Sequence, residues 1–114
     1  MQTSYFFKNG SDENVVSIAG KSPAWYAGKQ YKKLAPKYWF FKKYKDDGDK
    51  GFYIEHFKKE VLETLDPQKI YEELGENAIL LCWEKPGEFC HRHLVSEWLS
   101  KELNIEIKEV ENED

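Results

Sequence analysis

Hydrophobic positions along this chain follow two rhythms: short unbroken apolar runs, and stripes that recur at helical spacing. Residues 3–8 (TSYFFK) are rich in aromatic and β-branched side chains and predict a short strand. Asn9-Gly10-Ser11-Asp12 predicts a turn, and residues 14–19 (NVVSIA) predict a second strand that ends at Gly20. These two are expected to pair as a hairpin, or to leave the first strand at a sheet edge. Ser22 and Pro23 suit a helix cap and a first helical position, which predicts a helix over 24–34 with Gly28 as its weak point. Pro36 restarts the pattern, and residues 37–45 (KYWFFKKYK) predict another helix. Its Trp39, Phe40 and Tyr44 do not share one narrow stripe, so some of these rings are expected outside the core or along a cleft.

Residues 46–51 (DDGDKG) read as a polar loop and the clearest internal break. Tyr53, Phe57, Val61 and Leu65 then recur at helical spacing and predict a helix over 52–64. Asp66-Pro67 opens a short helix through Leu74, and Gly75 stops it. Residues 78–83 (AILLCW) lack polar alternation, as in a strand buried on both faces. A helix over 90–103 follows, ended by Asn104, and residues 105–110 (IEIKEV) alternate as a final strand. Residues 111–114 are expected to form an acidic, disordered tail. Strand, helices, strand, helix, strand implies a single compact α/β domain over residues 1–110, with a mainly parallel sheet of about four or five strands flanked by helices. In such sheets ligands bind beyond the carboxyl ends of the strands. Two loops qualify: one after the second strand, with Ser17, Gly20 and Lys21, and one running from Cys82 to Arg92.

Charge changes this picture. The net charge is −4, yet residues 21–59 carry eleven lysines against four acids, and residues 60–114 carry five basic residues against fifteen acids. The basic segment also holds eleven of the eighteen aromatic residues, so lysines for phosphate and rings for bases lie together. An acidic total gives little reason to expect general DNA or RNA binding. No apolar run approaches the ~18 residues needed to cross a bilayer, so no membrane partner is expected. The opening MQTSYFFKNGS lacks a basic region followed by a long apolar core, and the two cysteines do not suggest a disulfide scaffold. The expectation is a cytoplasmic protein with reduced thiols.

Candidate chemistry concentrates where Cys90-His91-Arg92 opens the last predicted helix. Helix starts present unpaired N–H groups that attract anions and favour thiolates. At about 100° per residue, His91 falls within the stripe of Leu94, Val95, Trp98 and Leu99, with Cys90 and Arg92 on either side and His93 turned to water. All three side chains of the triplet are therefore expected to face one hollow. Cys90, His91 and Glu84 are the candidate catalytic groups: thiol nucleophile, imidazole, and general base or orienting carboxylate. Ser17, Lys21, Trp25 and Arg92 are the candidate ligand-binding groups, with Tyr38 or Trp39 as further stacking surfaces. Arg92 is the one arginine among sixteen lysines, which suggests bidentate binding of an anion or a salt bridge to Glu84 or Glu88. Cys82, Cys90 and His91, with Glu84 or His56, offer zinc-type ligands. There is no CxxC pair, and adjacent residues rarely both reach one metal. No metal site and no cofactor is therefore assigned.

The run LLCWEKPGEFCHRHLVSEWL resembles the signature of the family catalogued as domain of unknown function 488. VSIAGKSPAWYAGKQYKKLAPKYWFFKKYK is similar to that family's early strand, its loop with Pro and Trp, and its Leu-Ala-Pro segment, and VLETLDPQKI also fits. The resemblance spans roughly residues 4–110. It implies a compact α/β domain, and its motif marks Ser17, Cys82, Glu84, Cys90, His91 and Arg92, but it supplies no reaction. Two functions follow as expectations. The first is a site for a small anionic, nucleotide-like ligand at the strand ends, with enzymatic chemistry there. The second is a non-catalytic module whose basic aromatic face meets single-stranded nucleic acid or an acidic protein.

Overall fold

Val15-Val16 and Leu80-Leu81 have no polar alternation because both of their faces are covered. In the computed structural model, which describes residues 1–85 and 87–111, these runs lie side by side in a five-stranded sheet. The strands are β1 (Gln2–Tyr5), β2 (Val15–Ser17), β3 (Lys29–Gln30), β4 (Ile79–Cys82) and β5 (Lys108–Glu109). Their order is β3-β2-β4-β1-β5, and every pairing is parallel. Val16 and Thr3 both sit opposite Leu80, so three strands share one register at the sheet centre. Successive side chains leave a strand on opposite faces. Val16, Ile18 and Leu80 therefore enter the main core with Phe40, Phe57, Val95 and Leu99, whereas Val15 and Leu81 enter a smaller cluster with Phe6 and Ala19.

The helices are α1 (Phe6–Asn9), α2 (Tyr38–Asp47), α3 (Lys50–Glu60), α4 (Pro67–Leu74) and α5 (His91–Leu103). The α/β domain expected from the sequence is the domain observed. Local chemistry explains the boundaries. Asp49 caps α3 by accepting from Phe52 N at 3.1 Å, and Asp66 caps α4 by accepting from Gln68 N at 3.0 Å, with Pro67 at the first position. Gly48, at φ +71°, ends α2, which shrinks the polar break at 46–51 to a two-residue joint between α2 and α3. None of these helices is long and apolar enough to cross a membrane, among the described residues.

Three expectations are corrected. The first strand is neither an edge strand nor half of a hairpin. It runs parallel between β4 and β5, and its chain turns into α1 at Phe6. Its interior place was hidden by polar residues, because buried Thr3 and Ser4 satisfy their hydroxyls through Glu109 and Asn9. The helix expected over 24–34 is absent. Lys29-Gln30 pairs with β2 instead, and only Lys32–Leu34 makes a short 3-10 turn. Gly28 sets this path: a Cβ there would lie 2.5 Å from the Tyr26 hydroxyl and 2.9 Å from Val15 Cγ2. The helix expected over 52–64 stops at Glu60 and continues as a 3-10 turn over Leu62–Thr64. Of the acidic tail, residues 112–114 lie outside the described residues.

Candidate functional site

All five strands point the same way, so their carboxyl ends share one edge of the sheet. The exits of β2 and β4 are the two loops singled out from the sequence, and they meet there. Trp83 Nε1 donates to the Lys21 carbonyl at 2.7 Å, and Lys32 Nζ donates to the Gly20 carbonyl. These exits, α2 and α3 enclose a cleft of about 820 Å³. Ala19, Gly20 and Lys21 form one wall, and Trp83, Glu84 and Phe89 another. Tyr38, Phe41 and Tyr44 of α2 and Tyr53 of α3 face them, with Lys32 and Lys45 at the margins. The uneven ring pattern of residues 37–45 thus resolves: Phe40 is buried in the core, while Tyr38, Phe41 and Tyr44 line the cleft. Burial pushes the Tyr53 phenol up, and the charge on Glu84 adds to that, so Tyr53 stays protonated.

Cys82, Cys90 and His91 close the end of this cleft. Cys82 is the last residue of β4, and Cys90 is the extended N-cap of α5, at φ −150° and ψ 143°. Their sulfurs turn to the same point and form a disulfide across the 83–89 loop. The expectation of reduced thiols is corrected here: spacing along the chain carried no sign that a strand end and a helix cap converge. His91 Nε2 lies 2.7 Å from the Ile18 carbonyl. A carbonyl only accepts, so Nε2 carries the proton and Nδ1 keeps its lone pair. Nδ1 faces Cys90 Sγ at 3.9 Å. Burial pulls the His91 pKa down to about 4, against the opposing Ile18 bond, so the ring is neutral at pH 7.

Arg92 does not join this group. It is fully buried and turned away from the cleft, toward β5. Its Nε and Nη2 donate to the two oxygens of Glu109 at 3.0 and 2.7 Å, and Nη1 donates to the Glu84 carbonyl at 2.6 Å and to Cys82 Sγ at 3.3 Å. Cys90 and His91 therefore share the end of the cleft while Arg92 leaves it for Glu109, so the single hollow expected for all three side chains is corrected for the arginine. The salt bridge is real, but its partner is Glu109 rather than the carboxylate of Glu84 or Glu88.

The remaining candidates separate cleanly. Lys21 and Glu84 line the cleft. Ser17 is buried beneath it, its Oγ 2.7 Å from Ser22 Oγ, and holds the turn after β2. Trp25 packs against Phe7 with ring centroids 6.1 Å apart, away from the cleft. Trp39 donates to Glu60 and packs edge-on to His56, also outside it. His93 is half-buried and does not border the cleft. Sequence reasoning missed Lys32, Lys45, Tyr53 and Phe89, which lie on four separate elements or loops and carry no local signature.

Residues 17–103 match a family model described as DUF488-N3a, the active DUF488-N3 subclade. The chain belongs to the DUF488 family. No curated protein and no solved structure matches it. The DUF488 match takes in both strand exits, α2, α3 and the Cys-His-Arg helix start, but leaves β1 and β5 outside. Glu109, the partner of Arg92, therefore lies beyond the matched DUF488 span.

Burial raises the Glu109 pKa, but the hydrogen bonds from Arg92 and Thr3 and the Arg92 charge more than offset it, so the carboxyl titrates below 4.5. A depressed folded pKa gives stability that is present above the unfolded value and lost as pH falls through the folded one. Below pH 4.5, the wild type is expected to lose stability with falling pH more steeply than Glu109→Gln in parallel urea titrations. Equal slopes would show that Glu109 does not supply this acid sensitivity.

Proposed function

We propose that the cleft binds a small anionic ligand of nucleotide type, and that Glu84 performs acid–base chemistry on it. The observation that carries this reading is the lining itself. Aromatic walls from Tyr38, Phe41, Tyr44 and Phe89 suit a base or sugar, and Lys21, Lys32 and Lys45 suit a phosphate. A volume of about 820 Å³ is of the size that holds a small organic molecule. Glu84 is the one carboxylate among the described residues lining it, and general acid–base groups of this type contribute about 10²–10⁴-fold to a rate. The word "active" in the matched subclade's description supports an enzymatic role. In the disulfide form Cys90 offers no nucleophile. Once reduced, its thiol would face the His91 Nδ1 lone pair, the arrangement of a base beside a nucleophile.

The binding-module reading has less support. Lys33, Lys37, Lys42, Lys43 and Lys59 are ion-paired to Glu73, Glu60, Asp46, Asp47 and Glu55, so much of the basic segment's charge is matched locally.

Calorimetry with mononucleotides and with inorganic phosphate tests the proposal. A nucleotide is expected to bind more tightly than phosphate alone, and Lys21→Ala combined with Lys45→Ala should weaken it at least tenfold, more so at low salt. Glu84→Gln should keep that affinity within a few-fold and lose turnover. Absence of heat and of thermal stabilisation with every nucleotide at millimolar concentration would refute it.

A further inference from the structure

From the end wall of the cleft we infer that the dithiol form of Cys82 and Cys90, together with His91, is a binding site for a soft divalent metal of the zinc class. Cys82 Sγ, Cys90 Sγ and a His91 ring nitrogen lie within 4.8 Å of one another, and all three residues are buried. Two thiolates and one imidazole form a recognised zinc donor set, and three protein ligands leave a fourth position open. All three residues line the cleft, so a ligand there would have access to that position.

Several independent features prepare the site. Tetrahedral Zn–S and Zn–N bonds of roughly 2.3 and 2.0 Å place sulfur and nitrogen about 3.6 Å apart. Cys90 Sγ and His91 Nδ1 are already 3.9 Å apart. The adjacency that argued against a metal in the sequence is overcome because Cys90 is extended while His91 is helical, which brings both side chains to one point. His91 is held as a ligand should be: its Nε2–H is committed to the Ile18 carbonyl, which fixes the tautomer and leaves Nδ1 for the metal. Arg92 Nη1 donates to Cys82 Sγ at 3.3 Å and favours its thiolate.

The disulfide and the metal exclude each other. A dithiol reductant breaks the S–S bond by supplying two electrons and two protons, and leaves as its own disulfide. Cys82 and Cys90 become thiols. Metal binding then transfers their two protons to solvent, while Nδ1 donates a lone pair without losing a proton. The inference is independent of the anion that occupies the cleft, but a metal on Cys90 Sγ and His91 Nδ1 takes both atoms of the thiol–imidazole pair, so in the metal-bound form Cys90 is a ligand and not a nucleophile.

The full chain, reduced with a dithiol and desalted under anaerobic conditions, should bind one Zn²⁺ per chain by native mass spectrometry, and the oxidised chain none. Co²⁺ should give tetrahedral visible bands with thiolate charge transfer in the reduced chain alone. His91→Ala should weaken Zn²⁺ at least tenfold in competition with a chromogenic chelator and change the Co²⁺ spectrum. Cys82→Ser should abolish tight binding, with circular dichroism reporting the fold. A reduced, folded wild-type chain that takes up no stoichiometric Zn²⁺ overturns the inference. So does a reduced chain that unfolds and is not refolded by Zn²⁺, or a folded His91→Ala with an unchanged Co²⁺ spectrum.

Discussion

Arg92→Ala is expected to destabilise the fold by ~3 kcal/mol, because it breaks a buried ion pair and strands its partner. Every nitrogen of this guanidinium is engaged: Nε and Nη2 on Glu109, Nη1 on the Glu84 carbonyl and Cys82 Sγ. The side chain ties α5 to β5 and to the exit of β4. Glu109 keeps about a quarter of its side chain exposed, which places the loss at the lower end for buried pairs. In a domain of this size the fall in Tm would be roughly 10–20 °C. Arg92→Lys should recover only part of it, since an ammonium cannot make the forked contact. Urea titration would read the effect as a lower midpoint at unchanged slope. Combining Arg92→Ala with Glu109→Gln should cost less than the two single changes added together, as expected for residues that act on one another. A stable Arg92→Ala that loses only phosphate affinity would return this arginine to the ligand-binding role expected from the sequence.

That contrast marks how far the sequence could be read. The parallel sheet was legible because VVS and ILLC lack alternation, and the place of the cleft followed from where such strands end. Caps were legible where one residue decides them, as at Asp66-Pro67 and Gly75. What failed depended on contacts distant in sequence. Thr3 and Ser4 look like surface residues until Glu109 and Asn9 satisfy them. Lys29-Gln30 reads as helical until β2 offers an unpaired edge. Helical phase put His91 inward correctly, but it treated Cys90 as helical, and the cap's extended backbone sent that side chain to Cys82. No spacing rule ties Arg92 to Glu109, seventeen residues on, in a two-residue strand. The lysines of the cleft were legible as charge and illegible as a cluster, because they arrive on separate elements.

Phe57→Ala should be among the most damaging single changes in the chain, at about 3–5 kcal/mol. Phe57 is completely buried in α3, stacked parallel to Tyr53 at 6.1 Å and tilted against His91 at 5.5 Å between ring centroids. It therefore packs in the core and against two residues that line the cleft with one ring. Truncation removes apolar contact and leaves a void that Tyr53 cannot fill, because the Tyr53 ring is already held by edge contacts with Phe40 and Phe89. Domains of this kind have only about 5–15 kcal/mol in total, so the variant would sit near the limit of folding at 37 °C. Phe57→Leu keeps most of the volume and is expected to cost less than about 1.5 kcal/mol. The pair of variants separates packing from any special role of the ring, with urea midpoints as the readout. Equal losses for leucine and alanine would show that the aromatic contacts with Tyr53 and His91, rather than filled space, hold this part of the fold.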